Sequence, residues 1–364
     1  MSKVTEQISE VALGLMLLLF VFPNARAQDQ PSPPEAGRIS NTLRSAAYPE
    51  AIYPRGIMPD WDRGYVIHHE IEMNHRPDTL MAVMYDATGK RILEGRIWPP
   101  GAGSVRIRRT AATHEGAILA AGSAIMQDGK IQHFIVKTDL AGNTARSVLM
   151  GGFGAEQICE ASDGTVWSVG QAIGSDGMRQ HDADILRHYS FETGLLHSFL
   201  PQGTVEAPVR SETAWFSPFG SYVRCGKNKV SVYLRFTNEY VEVNTSSFEL
   251  MRWKLDEAVV QQREASGLAV TEDGRVYASF DANGIRGAEQ VRGLYQIKAV
   301  SGNPIAELLP LAGTITLIER GKLSPPGTFT MLWGADGNQL VVWRMENNDS
   351  FLSWVNVIHI ESTD

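Results

Sequence analysis

Residues 158–171 read I-C-E-A-S-D-G-T-V-W-S-V-G-Q, in which two short apolar runs flank an Asp-Gly pair. Nearly the same phrase returns at 268–280, L-A-V-T-E-D-G-R-V-Y-A-S-F, and at 331–343, M-L-W-G-A-D-G-N-Q-L-V-V-W. Asp-Gly between two alternating apolar runs is a strong local signal for a β-hairpin. The phrase therefore predicts a strand, a tight turn and a second strand that recur along the chain.

The hairpin phrase has six copies, and their turn pairs are Arg63-Gly64, Glu115-Gly116, Asp163-Gly164, Asn228-Lys229, Asp273-Gly274 and Gly337-Asn338. In the first five copies a third apolar strand and a second turn follow. The last residues of these second turns are 89, 142, 194, 247 and 302, so the intervals are 53, 52, 53 and 55 residues. Four short strands per unit at such a steady period predict a radial repeat rather than an ordinary sandwich.

The two ends of the chain complement each other. Residues 38–44, R-I-S-N-T-L-R, resemble the outer strand of a unit whose first three strands are missing. The sixth unit supplies three strands and stops at Asp364 before any convincing fourth. Pairing of the two ends would close the ring and leave no exposed sheet edge. We therefore expect the N-terminal strand to complete the last unit.

The D-G-x-V-W-x-x-G phrasing at 163–170 resembles the β-propeller repeat proteins of the NHL and YWTD type, over roughly residues 37–361. No specific family is indicated. The resemblance implies an all-β, six-bladed β-propeller of four-stranded blades, with the ring closed by the N-terminal strand. Seven blades are the main alternative, but the repeat markers do not supply a seventh. The resemblance implies a fold and not an activity.

The N-terminus predicts export. Residues 11–22 form an apolar run of twelve, shorter than the roughly twenty residues that span a bilayer. Ala25 and Ala27 occupy the positions that a signal peptidase reads. We expect a signal peptide at 1–27, a Pro-rich linker at 28–37, a single propeller domain at 38–364 and no membrane span after cleavage, with an uncleaved anchor as the alternative. The mature protein is then periplasmic or secreted.

Export bears on the two cysteines, because oxidising compartments favour disulfides. Cys159 and Cys225 fall in neighbouring repeats, so a disulfide between them is one expectation. Two buried free thiols are the alternative.

The charge balance limits the partners. The chain of 364 residues carries a formal net charge of −8, which disfavours nucleic acid and anionic membranes. Arg106, Arg108 and Arg109 form a local basic run. Because the run is spaced along a strand, it indicates a solvated face or internal ion pairs rather than an anion site.

The connections between strands predict which face is functional. With strands A to D in each blade, the A–B and C–D turns lie on one face, where this sequence has tight turns. The B–C and D–A connections lie on the other, where they are long and irregular, at 98–104, 174–182, 201–221, 281–293 and 312–328. Variable loops on a rigid scaffold commonly carry binding residues. We therefore expect the function on the B–C/D–A face, near the mouth of the central channel.

The loop at 201–221 is the strongest candidate for partner binding. Trp215, Phe216 and Phe219 lie in a segment expected at the surface, where aromatic side chains anchor ligands. A protein, peptide or glycan is the expected partner. Packing of these aromatics onto the blades is the alternative.

A metal site is the second hypothesis. On a strand, His68, Glu70 and Glu72 would share one face, although the H-E-x-x-H spacing of a helical zinc site is absent. No nucleophile or phosphate-loop motif occurs. The sequence thus favours an exported binding scaffold without a cofactor and leaves catalysis open. The alternative is a metal-dependent lactonase- or lyase-like enzyme, as in several propeller families that the chain resembles, with a divalent cation held by His181, Asp182, Asp281, Asn283 and Glu346.

Overall fold

The structure is a computed structural model that describes residues 37–47, 57–86, 89–174, 178–180, 182–204, 221–235, 237–256, 265, 267–280, 294–312, 318–319, 322–323, 329–345 and 353–361. These residues all belong to one compact unit, Glu35–Asp364. Within them the chain is all-β apart from a 3-10 turn at Gln202–Thr204. No helix in this part of the chain is long and apolar enough to cross a membrane.

The strands follow one another in groups of four. The chain begins with β1 (Gly37–Ala47), which pairs with the end of the chain. The first sheet contains β2 (Ile57–Asp62), β3 (Tyr65–Glu70), β4 (Ala82–Tyr85) and β5 (Arg91–Gly95). The second contains β6 (Ala102–Ala112), β7 (Ile118–Met126), β8 (Ile131–Thr138) and β9 (Thr144–Gly151). The third contains β10 (Phe153–Glu160), β11 (Val166–Ala172), β12 (Asp184–Ser190) and β13 (Gly194–Pro201).

The second half of the chain continues this pattern. The fourth sheet contains β14 (Tyr222–Cys225), β15 (Lys229–Leu234), β16 (Glu239–Asn244) and β17 (Leu250–Leu255). The fifth contains β18 (Gly267–Val270), β19 (Val276–Ser279), β20 (Leu294–Lys298) and β21 (Ile305–Ala312). A small hairpin, β22 (Ile318–Glu319) and β23 (Lys322–Leu323), precedes the last group. That group contains β24 (Phe329–Asp336), β25 (Gln339–Met345) and β26 (Ser353–Glu361).

Each group is an antiparallel meander whose strands pair in chain order, and each of the six predicted hairpin turns lies between a first and a second strand. Five of these turns contain a glycine with a positive φ, which glycine adopts without a steric penalty. The fourth turn, at Asn228-Lys229, contains none. Gly164 has φ 80° and Gly274 has φ 86°. The repeated Asp-Gly phrase therefore encodes these hairpins through backbone sterics.

The N-terminal strand β1 occupies the fourth place of the last group. It pairs antiparallel with β26, from Arg38 opposite Glu361 to Ala47 opposite Trp354. At its start β1 also pairs parallel with β21 of the fifth sheet, at Gly37 opposite Leu311. The strand thus begins at the last residue of the predicted linker, and the pairing is the one that the sequence predicts for the two chain ends.

The first strands of the six groups contact one another in turn. β2 contacts β6, and the contacts continue through β10, β14, β18 and β24 back to β2. The fold is therefore all-β and propeller-like. We call the space that these strands surround the central channel. Its turn end carries the first-to-second and third-to-fourth strand turns, and its loop end carries the other connections.

Apolar clusters fill the space between successive sheets. Within the described residues five clusters link sheets one to two, two to three, three to four, four to five and five to six. Trp167 of the third sheet and Val232 of the fourth, for example, share one cluster and are both fully buried. Side chains on both faces of an interior sheet are therefore buried. This arrangement leaves the channel, the two ends and the outer strands as the places for charged groups.

Candidate functional site

Charged side chains from several first strands meet in the central channel. They are Asp60 and Asp62 of β2, Arg108 and Arg109 of β6, Glu156 of β10 and Arg224 of β14. Asp62 retains 18% exposure of its side chain, yet burial raises its pKa, against the opposing charges of Arg63 and Arg224. A side chain on the wall of a narrow channel has this combination, because water reaches it from one side while protein surrounds it on the others. The channel is thus a polar, partly desolvated space.

The turn end of the channel holds a paired ionic network. Glu160, which is 1% exposed, accepts hydrogen bonds from the backbone N–H of His114 at 2.7 Å and from Lys137 Nζ at 2.9 Å. Arg63 donates to the Glu160 carbonyl at 2.6 Å and lies 3.1 Å from His114 Nδ1. Burial lowers the pKa of His114, and Arg63 lowers it further. Acid and base neutralise each other here, as a structural network requires.

The disulfide lies at the same end. Cys159 and Cys225 are bonded, with their Cα atoms 5.6 Å apart and a sequence separation of 66. They stand near the ends of β10 and β14, the first strands of neighbouring sheets. The bond therefore fastens two walls of the channel where they enter the turns.

Midway along the channel, Asp60, Thr110 and His69 form a hydrogen-bonded group. Asp60 Oδ2 accepts from Thr110 N at 2.8 Å and Thr110 Oγ1 at 2.9 Å, and it lies 3.4 Å from His69 Nδ1. Burial lowers the pKa of His69 to about 4, although Asp60 acts in the opposite direction. The imidazole is therefore neutral near pH 7 and orders the carboxylate rather than ion-pairing with it.

The segment 68–75 was a candidate metal site in the sequence, but its side chains lie in different surroundings, some buried and some exposed. His68 packs its ring against Tyr85, with centroids 5.3 Å apart, whereas His69 is fully buried beside Asp60. Glu72 is exposed beyond the end of β3. Among the residues that the structure describes, no three His, Cys, Asp or Glu side chains are grouped to hold a metal ion.

The loop end gathers arginines around one carboxylate. Glu156 accepts a hydrogen bond from Gln171 Nε2 at 2.8 Å. Burial raises the pKa of Glu156, and the charges of Arg109, Arg179, Arg235 and Arg108 lower it. These four arginines come from three sheets. Arg108 and Arg109 lie on β6, Arg179 lies between β11 and β12, and Arg235 directly follows β15. These two connections are B–C loops, so the group lies toward the predicted functional face.

Sequence reasoning noted Arg108 and Arg109 but missed the rest of this group. Arg179 and Arg235 are isolated in sequence, and Glu156 is one acid among 41 Asp and Glu residues. The available signal was three arginines within four residues on an inner strand of an acidic chain. The sequence predicted ion pairs or a solvated face for Arg106, Arg108 and Arg109. In the structure, Arg106 and Arg109 also donate hydrogen bonds to the backbone carbonyls of Ile71 and Glu156.

Most residues that the sequence nominated fall outside the described residues: Trp215, Phe216, Phe219, His181, Asp281, Asn283 and Glu346. Asp182 is described, and it is exposed in the turn before β12. Its neighbour Asp184 opens β12 and accepts a hydrogen bond from Ser198 Oγ at 2.6 Å, a bond within the sheet. Of the nominated residues, the structure brings together Cys159 and Cys225.

No protein-family model matches the chain, and no curated protein matches it in sequence. Several solved structures align with most of the chain at low identity. A luciferin-regenerating enzyme is 12% identical with a TM-score of 0.45, covering 88% of this chain and 97% of its own. The PQQ-bound aldose sugar dehydrogenase from Streptomyces coelicolor is 13% identical with a TM-score of 0.46, covering 91% and 100%. The protein U3-55K is 9% identical with a TM-score of 0.44, covering 89% and 99%. Such distant likenesses say nothing about what this chain binds.

Proposed function

We propose that the protein is an exported binding protein whose B–C/D–A face, at the loop end of the channel, takes a ligand. The observation that carries this proposal is the convergence on Glu156 of side chains from three sheets and two B–C loops. Concave sites with a few converging polar groups on a rigid scaffold are where ligands usually bind. The turn end has tight turns and charge pairs that neutralise one another.

The scaffold in this proposal is a six-bladed propeller of four-stranded blades, formed by residues 38–364 as a single domain. The antiparallel groups, the contacts among the first strands and the pairing of β1 with β26 support it. Closure by strands from both chain ends holds the ring without a free edge. Such a ring would fix the loop end as one rigid face.

Export is the second part of the proposal. A signal peptide at 1–27 followed by the linker at 28–37 would deliver the domain to the periplasm or the medium. The Cys159–Cys225 disulfide supports this location, because disulfides persist in oxidising compartments. Mass analysis of the mature protein should give a chain that begins at Gln28.

The ligand-binding face also includes the loop at 201–221 in this proposal, with Trp215, Phe216 and Phe219 as anchors for a protein, peptide or glycan. The test is binding of the mature protein to arrays of peptides and glycans. Trp215→Ala and Phe216→Ala should each weaken binding about tenfold or more without lowering the melting temperature. Leu140→Ala, at an exposed turn-end position, is the matched control. Equal binding by the aromatic variants, or equal loss in the control, would refute the assignment of this face.

A further inference from the structure

The outer edges of the sheets differ in how they are paired. Among the described residues, β5, β9 and β13 are the outer strands that pair on one side only, each with the strand before it in the chain. The outer strands β17, β21 and β1 each pair on both sides. A strand that pairs on one side presents a row of backbone N–H and C=O groups with which another strand can pair.

Charged side chains protect two of these three edges. The strand β5 carries Arg91 and Glu94, and β9 carries Arg146. Charged residues on an edge discourage pairing with another strand, because the pairing would bring those charges into the interface. The strand β13 reads G-L-L-H-S-F-L-P and contains no Asp, Glu, Lys or Arg. The edge of the third sheet therefore lacks this protection.

Apolar side chains are exposed along β13 instead. Leu195 is 50% exposed and Leu196 is 39% exposed. The strand β9 contacts β13 and adds a further leucine, Leu149, which is 48% exposed. Unpaired backbone groups beside exposed apolar side chains are the combination through which one strand adds to another. The outer edge of the third sheet thus offers both hydrogen bonds and apolar surface.

Contacts with its own sheet and with the fourth sheet hold β13 in place. The ring of His197 packs against Phe248, with centroids 4.1 Å apart, and Phe199 packs against Trp167, with centroids 5.7 Å apart. On its inner side β13 pairs with β12 along its whole length. The edge is therefore presented in a fixed conformation, and a strand that pairs with it requires little further ordering of this chain.

The open part of this edge is self-complementary. Leu200 has a positive φ of 65°, and Pro201, the last residue of β13, has no backbone N–H to donate. Regular pairing therefore ends at Phe199. Residues 195–199, L-L-H-S-F, are apolar at both ends and polar in the middle. If two copies pair antiparallel about a two-fold axis, the leucines of each copy lie beside Phe199 of the other.

We propose that β13 is a self-association site, at which two copies of the chain pair antiparallel and join their third sheets into one continuous sheet. Each chain carries a net charge of −8, which disfavours contacts between copies elsewhere, whereas this edge has no acidic residue. The two-fold contact uses the β13 edge of both copies, so association stops at the dimer. The contact lies on an outer strand and does not depend on the ligand proposed for the loop end.

The test is sedimentation equilibrium of the mature protein over a range of concentrations. We expect a monomer–dimer equilibrium in the micromolar range, because one strand pair buries less surface than a standard interface of about 1,600 Å². Leu195→Lys and Leu196→Lys should each weaken the dimer about tenfold or more, because each brings a charge to the paired edge. Ile92→Lys is the matched control, since Ile92 is 41% exposed on the outer strand β5. It should dimerise as the wild type does, and all three variants should keep the wild-type melting temperature.

Hydrogen exchange of the β13 amides distinguishes the occupants of the edge. In the proposed dimer these amides exchange more slowly as the concentration rises, whereas those of β9 do not change. A monomer at every concentration overturns the proposal. Slow exchange in that monomer would show that another segment of the same chain covers the edge, and fast exchange would show that copies do not pair there. A dimer that is unaffected by both leucine variants, or that is weakened equally by Ile92→Lys, lies elsewhere on the surface and also overturns the proposal.

Discussion

The two ends of the central channel differ in how they surround a carboxylate with charged groups. At the turn end, the Glu160 carboxylate pairs with Lys137 and accepts from the backbone N–H of His114, and Arg63 donates to the Glu160 carbonyl. At the loop end, four arginines act on Glu156. Both ends are built from the same repeated sheets, so the difference comes from the residues on the strands and loops and not from the fold.

The two ends differ in how their charges are arranged: paired hydrogen bonds surround Glu160, whereas arginines from three sheets act on Glu156. A buried charge that is fully matched contributes specificity and order, and its removal leaves a partner uncompensated. At the loop end, the neighbouring charges of Arg106 and Arg109 lower the pKa of Arg108, and Glu156 acts in the opposite direction. The following predictions test that contrast, from the largest expected effect to the smallest.

Removal of the disulfide should have the largest effect on stability. The Cys159→Ala/Cys225→Ala double variant should lose about 4 kcal/mol of unfolding free energy, because a crosslink across 66 residues restricts the unfolded chain. Urea denaturation of the variant and of the reduced wild type should agree with each other. A loss below about 1 kcal/mol would mean that the turn end does not depend on this bond.

Removal of the central acid of the turn-end network should come next. Glu160→Ala should lower the unfolding free energy by about 3 kcal/mol, since it leaves Lys137 and the N–H of His114 without this partner in a buried place. The control is Glu115→Ala, because Glu115 lies 3.2 Å from the same Lys137 but is 70% exposed. It should cost less than about 1 kcal/mol. Similar losses in both variants would contradict the contrast between buried and exposed partners.

The middle of the channel should make stability depend on pH. The pKa of His69 is about 4 in the folded chain and about 6.5 when unfolded. The unfolded chain therefore binds more protons below pH 6.5, and the unfolding free energy falls as the pH drops. We expect this histidine to contribute a loss of about 2 kcal/mol between about pH 7.5 and pH 5. Denaturation at several pH values should show a shallower dependence for His69→Gln, and an unchanged slope would refute the assignment.

The smallest expected changes in unfolding free energy concern two arginines at opposite ends of the channel, Arg63 and Arg108. Arg63→Gln should lose about 1 kcal/mol, because it removes the bond to the Glu160 carbonyl. Arg108→Gln should change the unfolding free energy by less than about 0.5 kcal/mol or raise it slightly, because its neighbours Arg106 and Arg109 repel it. Urea denaturation at low and high salt measures both variants. A clear loss in Arg108→Gln that salt does not alter would place Arg108 in the structural class.

The sequence anticipated much more of the scaffold than of the site. The turn pairs and the steady spacing located the hairpins, because a positive φ at glycine and alternating apolar residues are local properties. The group of charges that acts on Glu156 includes Arg179 and Arg235, which lie in different sheets from Arg108 and carry no local pattern. The aromatic residues at 215–219 and the acids nominated for a metal remain predictions outside the described residues, apart from Asp182, which is exposed before β12.

By itself, the sequence determined an all-β chain of repeated four-stranded units in which the two ends of the chain pair. It could do so because hairpin turns and strand alternation depend on residues that are close together in the sequence. Only the tertiary structure decided which charges meet. Residues as far apart in the chain as Arg108 and Arg235 act on one carboxylate, because the strands and loops that carry them converge on one channel. Whether a charge is matched or left in excess depends on distance and burial in space, which one-dimensional spacing does not encode.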